Sequence, residues 1–204
     1  FQKGGHPSVF SLGGVRFGVN VCEDIWHAGG PALAQARGGG ARVIFVISAL
    51  PYHAGKWRER EQMLAARAAD NGVVVCYLNM IGGQDELVFN GMSAIILPDG
   101  TVAARGNAFA EELIVTDVDI PGFNGPSGEC GEEISVIRLA SGLKGCLGAP
   151  RSAIAAGPDE LDEIYGALVL GTRDYVRKNG FSKAVLGLSG GIDSALTAVL
   201  AARA

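Results

Sequence analysis

The chain has 204 residues, 48% of them hydrophobic and 19% charged, with a formal net charge of −4. This is a core-forming composition, enough for one large domain or for one domain and part of another. The acidic balance speaks against nucleic-acid or anionic-membrane partners, and no apolar run approaches the roughly 20 residues a membrane helix needs.

In chain order, Val15 to Cys22 (VRFGVNVC) reads as a strand ending at the polar turn Glu23-Asp24, and Pro31 to Arg37 as a short helix closed by three glycines. Arg42 to Ile47 is a near-continuous apolar strand, the mark of a sheet buried on both faces. Lys56 to Ala69 is a helix with Trp57, Met63, Leu64 and Ala68 near helical spacing, stopped by Asn71-Gly72. Val73 to Leu78 is a second buried strand. Ser93 to Leu97 and Thr101 to Arg105 form a hairpin around Pro98-Asp99-Gly100, and Leu113 to Val118 is a further strand. The Gly- and Pro-rich stretch Pro121 to Glu133 breaks every periodicity and reads as linker. Pro158 to Lys178 is a long amphipathic helix, Ala184 to Leu188 a buried strand, and a helix opens at Ile192 to Ser194.

The four cysteines are widely spaced, with no C-x-x-C or Cys/His cluster, which argues against zinc and for a reducing compartment. Cys76, inside VVVCYL, suits a buried core thiol. Cys22 differs: a thiol at the C-terminal lip of a strand projects into a cleft while its neighbours stay packed. As a thiolate it would be a nucleophile, and beside Glu23 and Asp24 it needs a cation nearby. A packed core cysteine remains the alternative from spacing alone.

Ser189-Gly190-Gly191-Ile192-Asp193-Ser194 joins strand to helix, the layout of a phosphate cradle. Backbone N–H groups and the helix dipole favour an anion, and missing Cβ atoms admit it closely. It is not a Walker A loop, because GxxxxGK[ST] is absent.

GVNVCEDIW (Gly18 to Trp26), ISALPYHAGKWRER (Ile47 to Arg60) and YLNMIGGQDELVFNGMS (Tyr77 to Ser93) resemble the later half of a nitrilase-superfamily amidase domain. The likeness is to the glutaminase domain of glutamine-dependent NAD synthetases. GGQDELVFNG (Gly82 to Gly91) is its most specific part. The resemblance implies a Glu-Lys-Cys triad with Cys22 as nucleophile, Glu23 and Lys56 binding the charged end of L-glutamine, and Ser48 beside the pocket. Family members commonly carry a small hydroxyl residue where Leu50 stands, and leucine cannot make that hydrogen bond. The family's Glu and Lys precede the cysteine. No glutamate precedes Cys22 here, and Lys3 is the sole upstream lysine, outside the family's lysine motif. The chain by itself is therefore expected not to hydrolyse glutamine by this route.

SGGIDS matches the SGGxDS signature of the PP-loop ATP pyrophosphatases, and DEIYGALVLGTRDYVRKNGF (Asp162 to Phe181) resembles the start of an NAD synthetase domain. That implies ATP held by Gly187, Leu188, Ser189, Gly190, Gly191, Ile192, Asp193 and Ser194, with Asp193 capping the helix or holding Mg²⁺.

The fold class expected is α/β. Residues 1–122 would be the C-terminal half of an αββα nitrilase-type sandwich and 123–150 a linker. Residues 151–204 would open a Rossmann-like PP-loop domain. The activity implied is ATP-dependent amidation of deamido-NAD with ammonia from glutamine, by a cytoplasmic enzyme that is a homo-oligomer when complete and takes small-molecule substrates only. The alternatives are a stand-alone nitrilase-type amidase or carbamoylase with an unrelated ATP-binding tail, or an inactive truncated fragment. A first residue that is Phe1, with no signal-peptide pattern, and an end ten residues after Ser194 read as a piece of a longer protein.

Overall fold

The computed structural model describes residues 4–120, 134–140 and 152–204. The stretch 121–133, Lys3, Cys130 and Cys146 lie outside them. Seven strands form one sheet in the order β8-β7-β4-β3-β2-β1-β9. Its centre is β2 (Val15–Val21), β3 (Val43–Ser48) and β4 (Val74–Asn79), mutually parallel. Parallel neighbours need a crossover. Helix α1 (Pro31–Arg37) supplies the first and α2 (Lys56–Asn71) the second. Pro31 suits the first turn of α1, where its missing N–H has no partner to lose. Gly72 ends α2 in the left-handed region, its N–H returning to the carbonyls of Ala68 and Ala69.

One sheet face is covered. Ile44, Val46, Val75 and Ile96 are sealed there beneath Leu64 and Ala68 of α2 and Ala32 and Ala36 of α1. Each fully buried Leu or Ile contributes on the order of 1.5–3 kcal/mol. The opposite face carries Val19, Val21, Phe45, Ile47 and Leu78, all of them exposed. A sheet apolar on both faces with helices on only one is half of a four-layer sandwich. The α/β half-sandwich expected from the sequence is thus what the chain forms.

The hairpin around Pro98-Asp99-Gly100 is present as β7 (Ala94–Ile96) and β8 (Val102–Arg105). Two hairpins were not anticipated. β1 (Ser8–Leu12) folds back on β2 across Gly13-Gly14, both with positive φ, as a tight two-residue turn requires. β5 (Ile81–Gln84) and β6 (Leu87–Asn90) form a separate two-stranded ribbon from the GGQDELVFNG stretch. Within 123–150, read as linker, β9 (Ser135–Arg138) pairs with β1.

Two expected strands are absent. Leu113 to Val118 is extended without a ladder. Leu113 is exposed, and the backbone of Val115 instead exchanges hydrogen bonds of 2.8 Å with Ser152. Ala184 to Leu188 has the apolar run of an inner strand, but no described strand lies beside it and Val185 is fully exposed. An apolar run supplies only the faces of a strand; the ladder needs neighbours.

α3 (Glu160–Lys178) is capped by Asp159, which accepts from the Asp162 N–H at 2.8 Å. It lies on the β5–β6 ribbon. A Cβ on Gly83 would stand 3.1 Å from the Cα of Gly171, so two glycines let strand and helix backbones touch. Asp174 accepts from the Gly83 N–H at 2.8 Å, and Lys178 donates to the Gly83 carbonyl. Burial alone would raise the Asp174 carboxyl. The Gly83 N–H, with Arg173 and Lys178, holds it below the ordinary value. α4 (Ile192–Arg203) follows at the chain's end.

Candidate active site

The C-terminal ends of parallel strands are where an α/β sheet leaves a crevice. Val21 pairs with Ile47 and Ile47 with Leu78. Ser48 and Asn79 form the last rung of β3 and β4, and Cys22 follows the last paired residue of β2 at the same edge. Cys22 leaves the ladder with φ of 47°, in the left-handed region a cysteine seldom occupies, and begins a 3-10 turn to Trp26. Such a conformation persists only where the surroundings enforce it. They do so here: Asp24 accepts from the Val21 N–H at 2.9 Å, and Arg67 of α2 donates to the carbonyls of Ile25 (3.2 Å) and Trp26 (3.0 Å). Ile25 is fully buried beneath the turn.

Cys22 is a partly exposed free thiol. Lys56, at the start of α2, lies over the Trp26 ring at 5.5 Å, in the turn that Cys22 opens. Glu23 is exposed beside it. Ser48 is only 7% exposed and Tyr77 2%, and neither hydroxyl makes a hydrogen bond of ordinary geometry, although the two stand near each other. Burial pushes the Tyr77 hydroxyl above its ordinary value. The Arg60 guanidinium, 5.2 Å from its ring, pulls it back, and charge at Cys22 adds to the rise. Tyr77 is thereby within electrostatic reach of Cys22.

Asn79 organises the rim. It takes the Leu50 N–H on Oδ1 at 2.9 Å and donates from Nδ2 to the Gly91 carbonyl at 3.1 Å. Leu50 thus contributes its backbone, not its side chain. Tyr77, Asn79 and Arg67 are site-building residues that sequence reading missed. The last residues of a buried strand being polar (Ser48, Asn79) was the available signal. Cys76, expected as a buried core thiol, is instead partly exposed beside Phe45 on the uncovered sheet face, outside the core cluster, although partial burial pushes it up to about 11.

The second candidate, Ser189 to Ser194, is exposed except at half-buried Ser194, and is locally ordered. Gly190 has φ of +88°, Gly191 is the N-cap of α4, and the hydroxyls of Ser189 and Ser194 meet at 3.1 Å. Ser194 Oγ donates to the Gly191 carbonyl at 3.0 Å. Asp193 lies in the first turn and makes no cap bond, so the capping use anticipated for it is not seen. Here the N-cap is a glycine, and the hydroxyls of the loop hold the turn instead. Gly187 and Leu188 precede the loop in extended, exposed backbone.

A half-sandwich with a cysteine at the strand-end turn defines a class. The carbon-nitrogen hydrolase family matches residues 1–123, and the chain belongs to that family. The NAD synthase family matches residues 164–204. The chain is 41% identical over 215 residues to the glutamine-dependent NAD(+) synthetase of Aquifex aeolicus, covering 98% of this chain and 36% of that protein. It is 42% identical to that of Rhodobacter capsulatus, with 100% and 33% covered. The solved structure of glutamine-dependent NAD+ synthetase from Acinetobacter baumannii in complex with ADP superposes with a TM-score of 0.77 at 33% identity, covering all of this chain and 34% of that one. The chain spans about a third of the length of the curated relatives it matches. Among the described residues no helix is long and apolar enough to cross a membrane.

Proposed function

We propose that the protein to which this chain belongs makes NAD from deamido-NAD, ATP and L-glutamine. Cys22 sulfur attacks the side-chain carboxamide carbon of glutamine. The carbon–nitrogen bond breaks, the nitrogen leaves as ammonia after receiving a proton, and water then cleaves the thioester to glutamate and free thiol. The proton-shuttling Glu and oxyanion-stabilising Lys are those the family places before the cysteine. Lys56 and Glu23 would engage the charged ends of glutamine, and the Ser48 hydroxyl, beside that of Tyr77, would hydrogen-bond nearby.

At the second site, backbone N–H groups of Gly190 and Gly191 with the hydroxyls of Ser189 and Ser194 would hold ATP phosphates at the α4 N-terminus, flanked by Gly187, Leu188 and Ile192. Asp193, an exposed carboxylate in the same turn, fits one oxygen ligand of Mg²⁺, which supplies charge neutralisation at the phosphates. The deamido-NAD carboxylate takes AMP from ATP with release of pyrophosphate, and ammonia then displaces AMP to leave the amide. The widely spaced cysteines support a reducing, cytoplasmic setting, and the resemblance supports a homo-oligomer.

The observation that carries this reading is the enforced left-handed turn at Cys22, just past the end of β2 and at the same sheet edge as Ser48 and Asn79. In the complete enzyme, Cys22→Ala is expected to abolish NAD formation from glutamine and to keep formation from ammonium salts. Glutamine-driven synthesis surviving in that variant would show that the nucleophile lies elsewhere.

A further inference from the structure

The loop between β3 and α2, residues 49–56, joins Ser48 to Lys56, so its shape sets the distance between two groups proposed to hold glutamine. Three of its N–H groups are tied down by three different elements. Leu50 donates to Asn79 of β4 at 2.9 Å, Tyr52 to the Val88 carbonyl of β6 at 2.7 Å, and Gly55 to Glu163 Oε2 of α3 at 3.0 Å. The third tie comes from a helix outside the carbon-nitrogen hydrolase match, and the NAD synthase match begins at the residue after Glu163.

Glu163 is an unusual residue for that position. It is fully buried, 108 residues away in sequence from the amide it holds, and forms no ion pair of contact distance among the described residues, although the charge of the buried Arg60 guanidinium reaches it. Its second oxygen, Oε1, has no hydrogen-bond partner. A buried carboxylate so placed costs several kcal/mol relative to an apolar side chain of the same volume, so packing alone does not account for it. A group with complementary need lies close by. The Tyr52 hydroxyl is also buried without a partner, and after burial itself the charge of Glu163 is the main influence raising its pKa. The loop thus carries an unpartnered donor and the helix an unpartnered acceptor, in addition to the Gly55–Glu163 bond already made. Gly55 is moreover the N-cap of α2 and has no side-chain cap. The carboxylate from α3 therefore sits where the α2 dipole favours negative charge.

We propose that Glu163 is a positioning residue for glutamine use: from α3 it fixes the 49–56 loop through the Gly55 N–H, and the hold tightens when Tyr52 donates to its second oxygen. This rests on the functional reading above. It also gives the β5–β6 ribbon a task, since Gly83 and Asp174 seat the helix that delivers Glu163.

The test compares Glu163→Met, which keeps volume and removes the acceptor, with Glu163→Gln, which keeps an acceptor, in the complete enzyme. The Met variant should raise the glutamine KM about tenfold, with ammonia-dependent kcat and the KM for ATP unchanged, and the Gln variant should recover most of the loss. Amide exchange at Gly55, followed by deuterium uptake, should accelerate about tenfold in Met and stay slow in Gln. A wild-type glutamine KM with slow Gly55 exchange in the Met variant overturns the proposal, as does equal loss of the ammonia- and glutamine-driven rates. Should the Met variant not fold, Tyr52→Phe serves: an unchanged glutamine KM there overturns it too. If the unmutated enzyme makes no NAD from glutamine, the functional reading has failed, and the Gly55 exchange still decides whether the clamp exists.

Discussion

The two candidate sites are built in opposite ways. The Cys22 edge is assembled over long sequence distances: it draws on β2, β3 and β4, and Arg67 of α2 grips the turn that follows. The Ser189 to Ser194 loop is held almost wholly by itself, through bonds between residues at most five apart, and every residue in it but Ser194 is fully open to solvent. A site made by packing inherits the stability of the core. A site made by local turn chemistry forms wherever its own few residues can turn, and is indifferent to distant changes.

Alkylation gives the largest contrast on the packed side. Both thiols are partly exposed, but Cys76, pushed up to about 11, carries on the order of a thousandth of its thiol as thiolate at pH 8, and Cys22 stands at the strand-end turn. Iodoacetamide followed by peptide mass analysis should label Cys22 and spare Cys76, with Cys76 reacting only as pH approaches 11. The same rise has a consequence for stability. The neutral Cys76 thiol favours the fold fully below its unfolded pKa of about 9, and that contribution is lost as pH climbs toward 11. Equal labelling of both thiols at pH 8 would remove the distinction between them.

Next in size is Leu64→Ala, which opens a cavity beneath α2 and should cost about 2–5 kcal/mol in urea unfolding. Because Arg67 rides on the same helix, labelling of Cys22 should accelerate with it, while proteolytic sensitivity around Ser189 stays as it was. Smallest is Ser189→Ala. It removes two exposed contacts and should shift stability by no more than about 0.5 kcal/mol, yet weaken ATP binding measured by calorimetry. Undiminished ATP affinity would detach the loop from the nucleotide.

This difference also explains what was legible in the sequence. Helices α1, α2 and α3 and the central strands follow from apolar spacing and Pro, Asp and Gly punctuation, and they lie within a few residues of expectation. Cys22 was visible as a strand-end thiol, but its φ of 47° was not, because the pull of Arg67 comes from 45 residues downstream. Ser48 and Lys56 could be named from motif likeness. Tyr77, Asn79 and Glu163 could not, since each matters through an atom brought near by tertiary folding. Gly82-Gly83 entered the sequence reading only as part of the GGQDELVFNG likeness. In the fold these glycines let a ribbon meet a helix backbone, a use that only the partner Gly171 reveals. The strand read at Ala184 to Leu188 failed for the converse reason, since its pattern was right and no described neighbour pairs with it.

Covalent trapping on the complete enzyme probes the nucleophile most directly. An electrophilic glutamine analogue, followed by digestion and mass analysis, should leave one adduct on the Cys22 sulfur, with glutamine protecting against it and ammonia-driven NAD formation intact. An adduct on another residue, with Cys22 recovered unmodified while glutamine use is lost, would contradict the account.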